Sequence, residues 1–283
     1  MSNEHLAWTV PVMRVGYFGR GLVYCVVAGF SLYAIWRGGE AKGTSSALSQ
    51  LESTAWGGIV LLLIFLGLVA YAGWRFTDSV LDLDEHGNDP QGIVARLNMF
   101  VVAVINLALA FTALSLLFTD GGKGGGSSAT SAVDTLLGLP GGRWLVGLVG
   151  LVVIVAGAHY AYKGWTEKYR NRLVSNHFTM HWNWALKAGL TAKGLIVGVV
   201  GALFIYAAVQ FDPDKAGGVG EAFSWLTDQP YGQALVTLIC LGLLGFALYC
   251  FVNAVYRVIP KVSGPDVKTL ASSLNATLGQ AAV

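Results

Sequence analysis

Charge is what this sequence lacks. Asp, Glu, Lys and Arg make up 12% of its 283 residues, while hydrophobic types reach 54%, against a charged share of roughly 25% in soluble domains. So few charges cannot clothe a water-exposed surface, and a solvent other than water is implied. Cysteine is equally sparse: Cys25, Cys240 and Cys250 form no CxxC or other metal-ligand spacing. That excludes a disulfide framework and leaves them as small apolar packing residues. A formal net charge of +2 gives no sign of a nucleic-acid partner, and none is expected.

What the sequence has instead is uncharged length. Six long intervals carry no Asp, Glu, Lys or Arg: 21–36, 53–74, 97–119, 144–162, 194–211 and 229–256. Each approaches or exceeds the roughly 17–25 residues that a membrane-spanning helix needs, so the chain reads as all-α and integral to a membrane. The first interval is slightly short, which predicts that Arg20 lies at the interface and snorkels. It precedes a charged, Ser-rich loop without a small-residue cleavage site, so a retained helix is expected rather than a signal peptide.

Orientation follows from the basic residues. Arg14, Arg20, Arg75, Arg96, Lys163, Lys168, Arg170, Arg172, Lys187, Lys193, Arg257, Lys261 and Lys268 fall in the N-terminus, the second and fourth connections and the C-terminus. The other connections hold only Arg37, Lys42, Lys123, Arg143 and Lys215. The positive-inside rule then predicts both termini in the cytoplasm, with the Gly-rich connection 121–128 outside.

The spans repeat in pairs. Ala47-Leu48-x-x-Leu51 before Gly57 returns as Ala132-Val133-x-x-Leu136 before Gly142 and as Ala222-Phe223-x-x-Leu226 before Gly232. Each predicts a short amphipathic helix with Gly where the next span begins. Tyr71, Tyr160 and Tyr249 recur at an equal interval of 89 residues. The opening Arg14-x-Gly16-x-x-x-Arg20-Gly21 returns as Lys187-x-Gly189-x-x-x-Lys193-Gly194, whereas the middle copy has decayed to Arg96-x-Asn98-x-x-x-Val102-Ala103. Two spans per unit make parallel repeats, most simply a pseudo-threefold bundle. The predicted organisation is a cytoplasmic segment 1–13, hairpins 14–83, 95–170 and 186–260, and a cytoplasmic tail 261–283.

On these residues the chain resembles the bacterial domain-of-unknown-function family 1206. The Arg-x-Gly-x-x-x-Arg-Gly opening, the Ala-Leu-x-x-Leu connection before a Gly-initiated span, the stretch from Gly67 to Tyr71 and the triplicate of paired helices carry the resemblance, from about Arg14 to Arg257. It implies architecture and a bacterial cytoplasmic (inner) membrane location, and brings no activity with it.

Candidate sites are few, because the uncharged intervals hold only isolated polar residues. Asn106 reads as an interhelical hydrogen bond worth roughly 1 kcal/mol, ahead of a ligand contact. His159 stands near an inner helix end without a second membrane His, so a structural His is favoured over a haem ligand. His177 and His181 share a helix face at the spacing of a two-His metal site, but their aromatic surroundings read better as an interfacial belt. Asp82-x-Asp84-x-His86-Gly87 starts like a calcium loop but lacks the closing Glu, and reads as a solvated acidic turn facing Lys168, Arg170 and Arg172. Gly194 and Gly198 form a GxxxG pair suited to close helix packing.

Arg14, Arg20, Lys187 and Lys193, with Tyr71, Tyr160 and Tyr249, are therefore the candidate contacts to lipid headgroups and the interface. No catalytic, metal or cofactor-binding residues are assigned and no cofactor is expected. The expected role is non-enzymatic: a scaffold, accessory subunit or lipid-associated module, with membrane lipids and a membrane-protein partner or second copy as the partners. A small-solute or ion transporter built on three repeats is the alternative. Cytoplasmic chemistry around His177, His181 and the acidic turn is a third reading.

Overall fold

In a bilayer the backbone must satisfy its own hydrogen bonds, so an apolar stretch of spanning length has one solution, the helix. The computed structural model describes residues 6, 8–118, 128–139, 141–174, 177–212 and 216–259; most of the Gly-rich connection and the tail 261–283 lie outside that set. In chain order the helices are α1 (Thr9–Trp36), α2 (Thr44–Glu52), α3 (Gly57–Leu81), α4 (Pro90–Phe118), α5 (Ser128–Leu137), α6 (Gly142–Trp165), α7 (His177–His181), α8 (Asn183–Gln210), α9 (Val219–Thr227) and α10 (Gly232–Tyr256). Six of them, α1, α3, α4, α6, α8 and α10, are long and apolar enough to cross a membrane. The expected all-α, three-repeat architecture is the one found.

The repeat is physical as well as numerical. α2, α5 and α9 occupy the three equivalent connections, and each next span opens on Gly57, Gly142 or Gly232. A Cβ at these glycines would collide with the carbonyl of Leu51, Leu136 or Thr227 respectively, in or just after the preceding short helix. No side chain fits there, which is why all three copies keep Gly.

The spans pack in the order α4, α3, α1, α10, α8, α6, each against the next. Gly16 and Gly19 let α1 lie directly on the backbone of Tyr71 and Gly67 in α3. Gly189 does the same against Gly245 and Phe246 of α10. The first and third hairpins therefore close on themselves. In the middle copy the equivalent position is Asn98, which is exposed, and α4 and α6 do not pack along each other. α6 packs on α8 instead, with Gly157 against Gly194 and Gly198, and Gly150 against Gly201. The succession of spans is thus left open between its end helices α4 and α6, a gap called the seam below. Val101 and Ile105 on α4, and Leu148, Val152 and Val155 on α6, remain exposed.

The interior has two halves. Toward α2 and α9 it is apolar, built on Val23, Val27, Leu61, Ile64, Ile196, Leu203, Phe223 and Leu243. Toward the opposite end, where α1 begins and α10 finishes, it is aromatic: Tyr17, Tyr71, Trp74, Tyr169, Phe246 and Tyr249 pack together with Met13. This second end carries most of the basic residues and is called the basic end below.

Candidate functional site

Aromatic rings with hydroxyls are the side chains that can line a buried charge, offering both a π face and a polar tip. In the basic half these rings surround cations. α1 extends eleven residues before Arg20, from Thr9, so Arg20 is not at a helix end. It is only 8% exposed, and its Nη1 donates to the Tyr71 hydroxyl. Its guanidinium carbon stands 4.7 Å from the Tyr71 ring centre and 5.6 Å from that of Phe246. Tyr160 is a further electrostatic neighbour of the guanidinium. Lys193, well inside α8, is 9% exposed, with its Nζ 4.7 Å from the centre of the Tyr24 ring. Arg20 also faces Tyr24, at 6.0 Å. The two heads thus share one ring, and neither meets a carboxylate among the described residues.

The expected placement of these two heads at lipid phosphates is replaced by an inward one. A charge is cheaper at the interface than inside, but the one-residue geometry of a helix decides: Arg20 shares a face with Met13, Tyr17 and Tyr24 at helical spacing, and that face is the buried one. Tyr71 and Tyr249 are likewise buried and Tyr160 half-buried, so the repeated tyrosines line the interior in place of the interface contacts expected. Arg14 is exposed, and Lys187 is half-buried with its Nζ 3.6 Å from Glu167 Oε1 and 4.9 Å from the Trp165 ring centre.

The carboxylates of this half are committed elsewhere. Asp78, on α3, pairs with Arg75 at 3.4 Å and accepts the Asp84 backbone N–H at 3.0 Å. Arg75 also donates to the hydroxyls of Tyr71 (3.0 Å) and Tyr17 (3.2 Å). Asp84, in the turn after α3, binds Arg257 at 2.7 Å and is ion-paired with Arg172, whose Nη2 also donates to the Asp84 carbonyl at 2.9 Å. Burial alone would raise the Asp84 pKa, but Arg257 and Arg172 outweigh it and hold the carboxyl at about 2. A short bridge finishes the closure: Val174 N–H to the Tyr256 carbonyl at 2.9 Å and Val258 N–H to the Arg172 carbonyl at 3.0 Å. The acidic turn does face the fourth connection, through Arg172, but it is not the solvated turn expected, since Asp84 is buried in the ion cluster; Arg170 pairs with Glu167 instead.

The remaining candidates stand apart. Asn106 is buried but its Nδ2 donates to the Val102 carbonyl of its own helix, at 2.7 Å. Among the described residues it makes no interhelical hydrogen bond; the one expected is replaced by this bond within α4. His159 is exposed on α6. His181 is exposed beside Trp182, their ring centres 5.9 Å apart, while the His177 side chain lies outside the described residues. Asp82 accepts the backbone N–H groups of His86 and Gly87 at 2.8 and 2.9 Å, which closes the acidic turn with its own backbone.

Reading charged residues as span boundaries hid the inward set of Arg75, Asp78, Lys163 and Arg257. The available signal was periodicity: in Met13, Tyr17, Arg20, Tyr24 and in Leu186, Leu190, Lys193, a cation sits at the helical spacing of buried rings and aliphatics.

The middle copy, which departs most from the shared opening pattern, is nonetheless recognisable beside the others. The family model "Domain of Unknown Function (DUF1206)" matches three times, over residues 15–82, 97–167 and 188–257. The chain is 28% identical over 261 residues to the uncharacterized protein YxxB of Bacillus subtilis (strain 168), covering 91% of this chain and 94% of that one. No solved structure matches. Three matched hairpins, each with its short connecting helix and Gly-initiated span, place the chain in the DUF1206 family, to which it belongs.

Proposed function

We propose that this multi-pass protein is a non-enzymatic, lipid-associated membrane module, with both termini in the cytoplasm of a bacterium. The observation that carries the reading is the unclosed seam between α4 and α6. A bundle that leaves Val101, Ile105, Leu148, Val152 and Val155 unpacked presents more apolar surface than association among its own helices requires, and lipid tails are the solvent at that depth. A second apolar feature supports it: a groove of ≈ 590 Å³ lined by Gly157, Ala161, Leu195, Gly198, Tyr206 and Trp225.

The transporter reading draws on the inward cations. Against it, the far half of the interior is filled by the apolar cluster around Val27, Leu61, Ile64 and Leu243, which favours a site open to one leaflet over a through-path.

Native mass spectrometry of protein extracted in mild detergent tests the proposal. Retained phospholipid is expected, reduced when the seam is filled by Val152→Trp. Extraction free of lipid, with full helicity, would overturn it.

A further inference from the structure

The Arg20 and Lys193 heads are fully inside a membrane bundle, positive, and without a carboxylate between them. Interior charges of one sign are costly unless an opposite charge joins them. The candidates within reach do not supply one. Asp78 is paired with Arg75, and Asp84 with Arg172 and Arg257. What surrounds Arg20 and Lys193 is neutral: the hydroxyls of Tyr71 and Tyr160, the rings of Tyr24 and Phe246, and the thiol of Cys250. Among the described residues no hydrogen-bond acceptor is bound to Lys193, which carries three donors.

Access is one-sided. Of the three repeated tyrosines, Tyr71 and Tyr249 are buried, yet Tyr160 on α6 is half-buried, as are Lys163 one turn further along α6 and Val102 on α4. Val102 and Tyr160 both pack against the aromatic cluster of the basic half, and the helices that carry them, α4 and α6, do not pack along each other. An approaching group would pass Val102 and Tyr160 and meet Lys193 and Arg20.

We propose that Arg20 and Lys193, with the Tyr160 hydroxyl beside them, form a binding site for a phosphate group entering sideways between α4 and α6. Arg offers a planar fork and Lys a point charge, the pair of donors by which phosphate oxygens are held. The site deepens the lipid-associated reading, since the phosphate can be that of a phospholipid headgroup whose tails occupy the seam; a free phosphate ion satisfies the same donors.

The test uses the full chain in two arms. In nanodiscs, the affinity for phosphatidylglycerol is compared with that for phosphatidylcholine; in detergent, binding of inorganic phosphate is measured by titration calorimetry. Phosphatidylglycerol is expected to be preferred, and Arg20→Gln or Lys193→Gln to weaken it by about tenfold, the loss of one charge-assisted hydrogen bond. Arg37→Gln, exposed just past the other end of the same helix, leaves it unchanged. Phosphate binding that depends on Arg20 and Lys193 without a lipid preference identifies a free ion as the ligand: the site stands and lipid occupancy falls. Equal retention of both lipids, indifferent to Arg20→Gln, leaves the lipid-associated module and removes the site. Should the Gln variants fail to fold, Val152→Trp decides the matter at constant charge, because a blocked seam must reduce phosphatidylglycerol binding. Unchanged binding there, or no binding of either probe by the wild type, overturns the proposal.

Discussion

The first and third hairpins and the middle one start from the same plan and end differently. Gly16 and Gly189 bring each outer hairpin's two helices into backbone contact, and each contributes a cation, Arg20 or Lys193, to the interior. The middle hairpin has Asn98 and Val102 at the matching places. It neither closes on itself nor supplies the third charge. One substitution pattern therefore accounts for two features at once: where the small residue is lost the seam opens, and where the cation is lost the seam's lining is apolar. A third cation would have added repulsion to an interior already short of negative charge, so decay of the middle copy is compatible with, and sharpens, a two-cation site.

The strongest way to break the comparison is to cut the clamp that ties the repeats together at the basic end. Asp84 follows the first hairpin, Arg172 the second and Arg257 the third, and they meet in one ion cluster. The Asp84 and Arg257 side chains are 4% and 3% exposed, that of Arg172 27%. Asp84→Asn is expected to cost about 3–5 kcal/mol, the usual cost of stranding a buried charge, whereas Arg172→Gln should cost about 1 kcal/mol or less. Thermal unfolding in detergent, followed by circular dichroism, separates them. The pH dependence has a defined sign. The Asp84 carboxyl is held at about 2 in the fold, below its ordinary value near 3.9. Its contribution is therefore complete above about pH 4 and is lost as the pH falls toward 2. A variant with Asn at 84 should lack that part of the acid transition.

Next in size are the helix crossings. Gly19→Leu, against Gly67, and Gly189→Leu, against Gly245, force side-chain volume between touching backbones. Each should cost about 1–3 kcal/mol. Asn98→Leu, at the exposed middle position, should stay within about 0.5 kcal/mol. Equal effects at all three would mean that the middle hairpin closes in the membrane after all.

This contrast also marks what sequence could reveal. The six spans were legible because length without charge has one structural outcome in lipid, and the repeats because Gly57, Gly142 and Gly232 answer to the same collision with a preceding carbonyl. Arg20 and Lys193 were located in the repeat but misplaced in depth, since a charge-free interval ends at a charge by construction, while α1 and α8 run on past theirs. The ion cluster was out of reach for a different reason: Asp84 and Arg257 lie 173 positions apart, and only the packing of α1 between α3 and α10 makes them neighbours. The α4–α6 seam was half-visible, as a decayed motif whose packing consequence had no local sign.

The smallest expected effect compares one residue type in two repeats. Asn106 in the middle hairpin and Asn253 in the third are both buried, and both donate Nδ2 to the carbonyl four residues back, Val102 and Tyr249, at 2.7 Å. There the likeness ends. The Asn253 Oδ1 accepts from Arg257 Nη1 at 3.3 Å, and Arg257 is itself the partner of Asp84, so Asn253 is one ligand of the buried ion cluster. Among the described residues the Asn106 side chain makes no hydrogen bond beyond its own helix. Asn253→Leu should thus cost about 1.5–3 kcal/mol, the range for a hydrogen bond to a charged group. Asn106→Leu, which gives up a bond within its own helix, should change stability by no more than about 0.5 kcal/mol. The double variant tests independence: with no shared partner the two effects should add within about 0.5 kcal/mol. An Asn106 effect as large as that of Asn253 would place a polar partner in the seam, where the structure has none among the described residues, and would make the middle hairpin a packed unit like the other two.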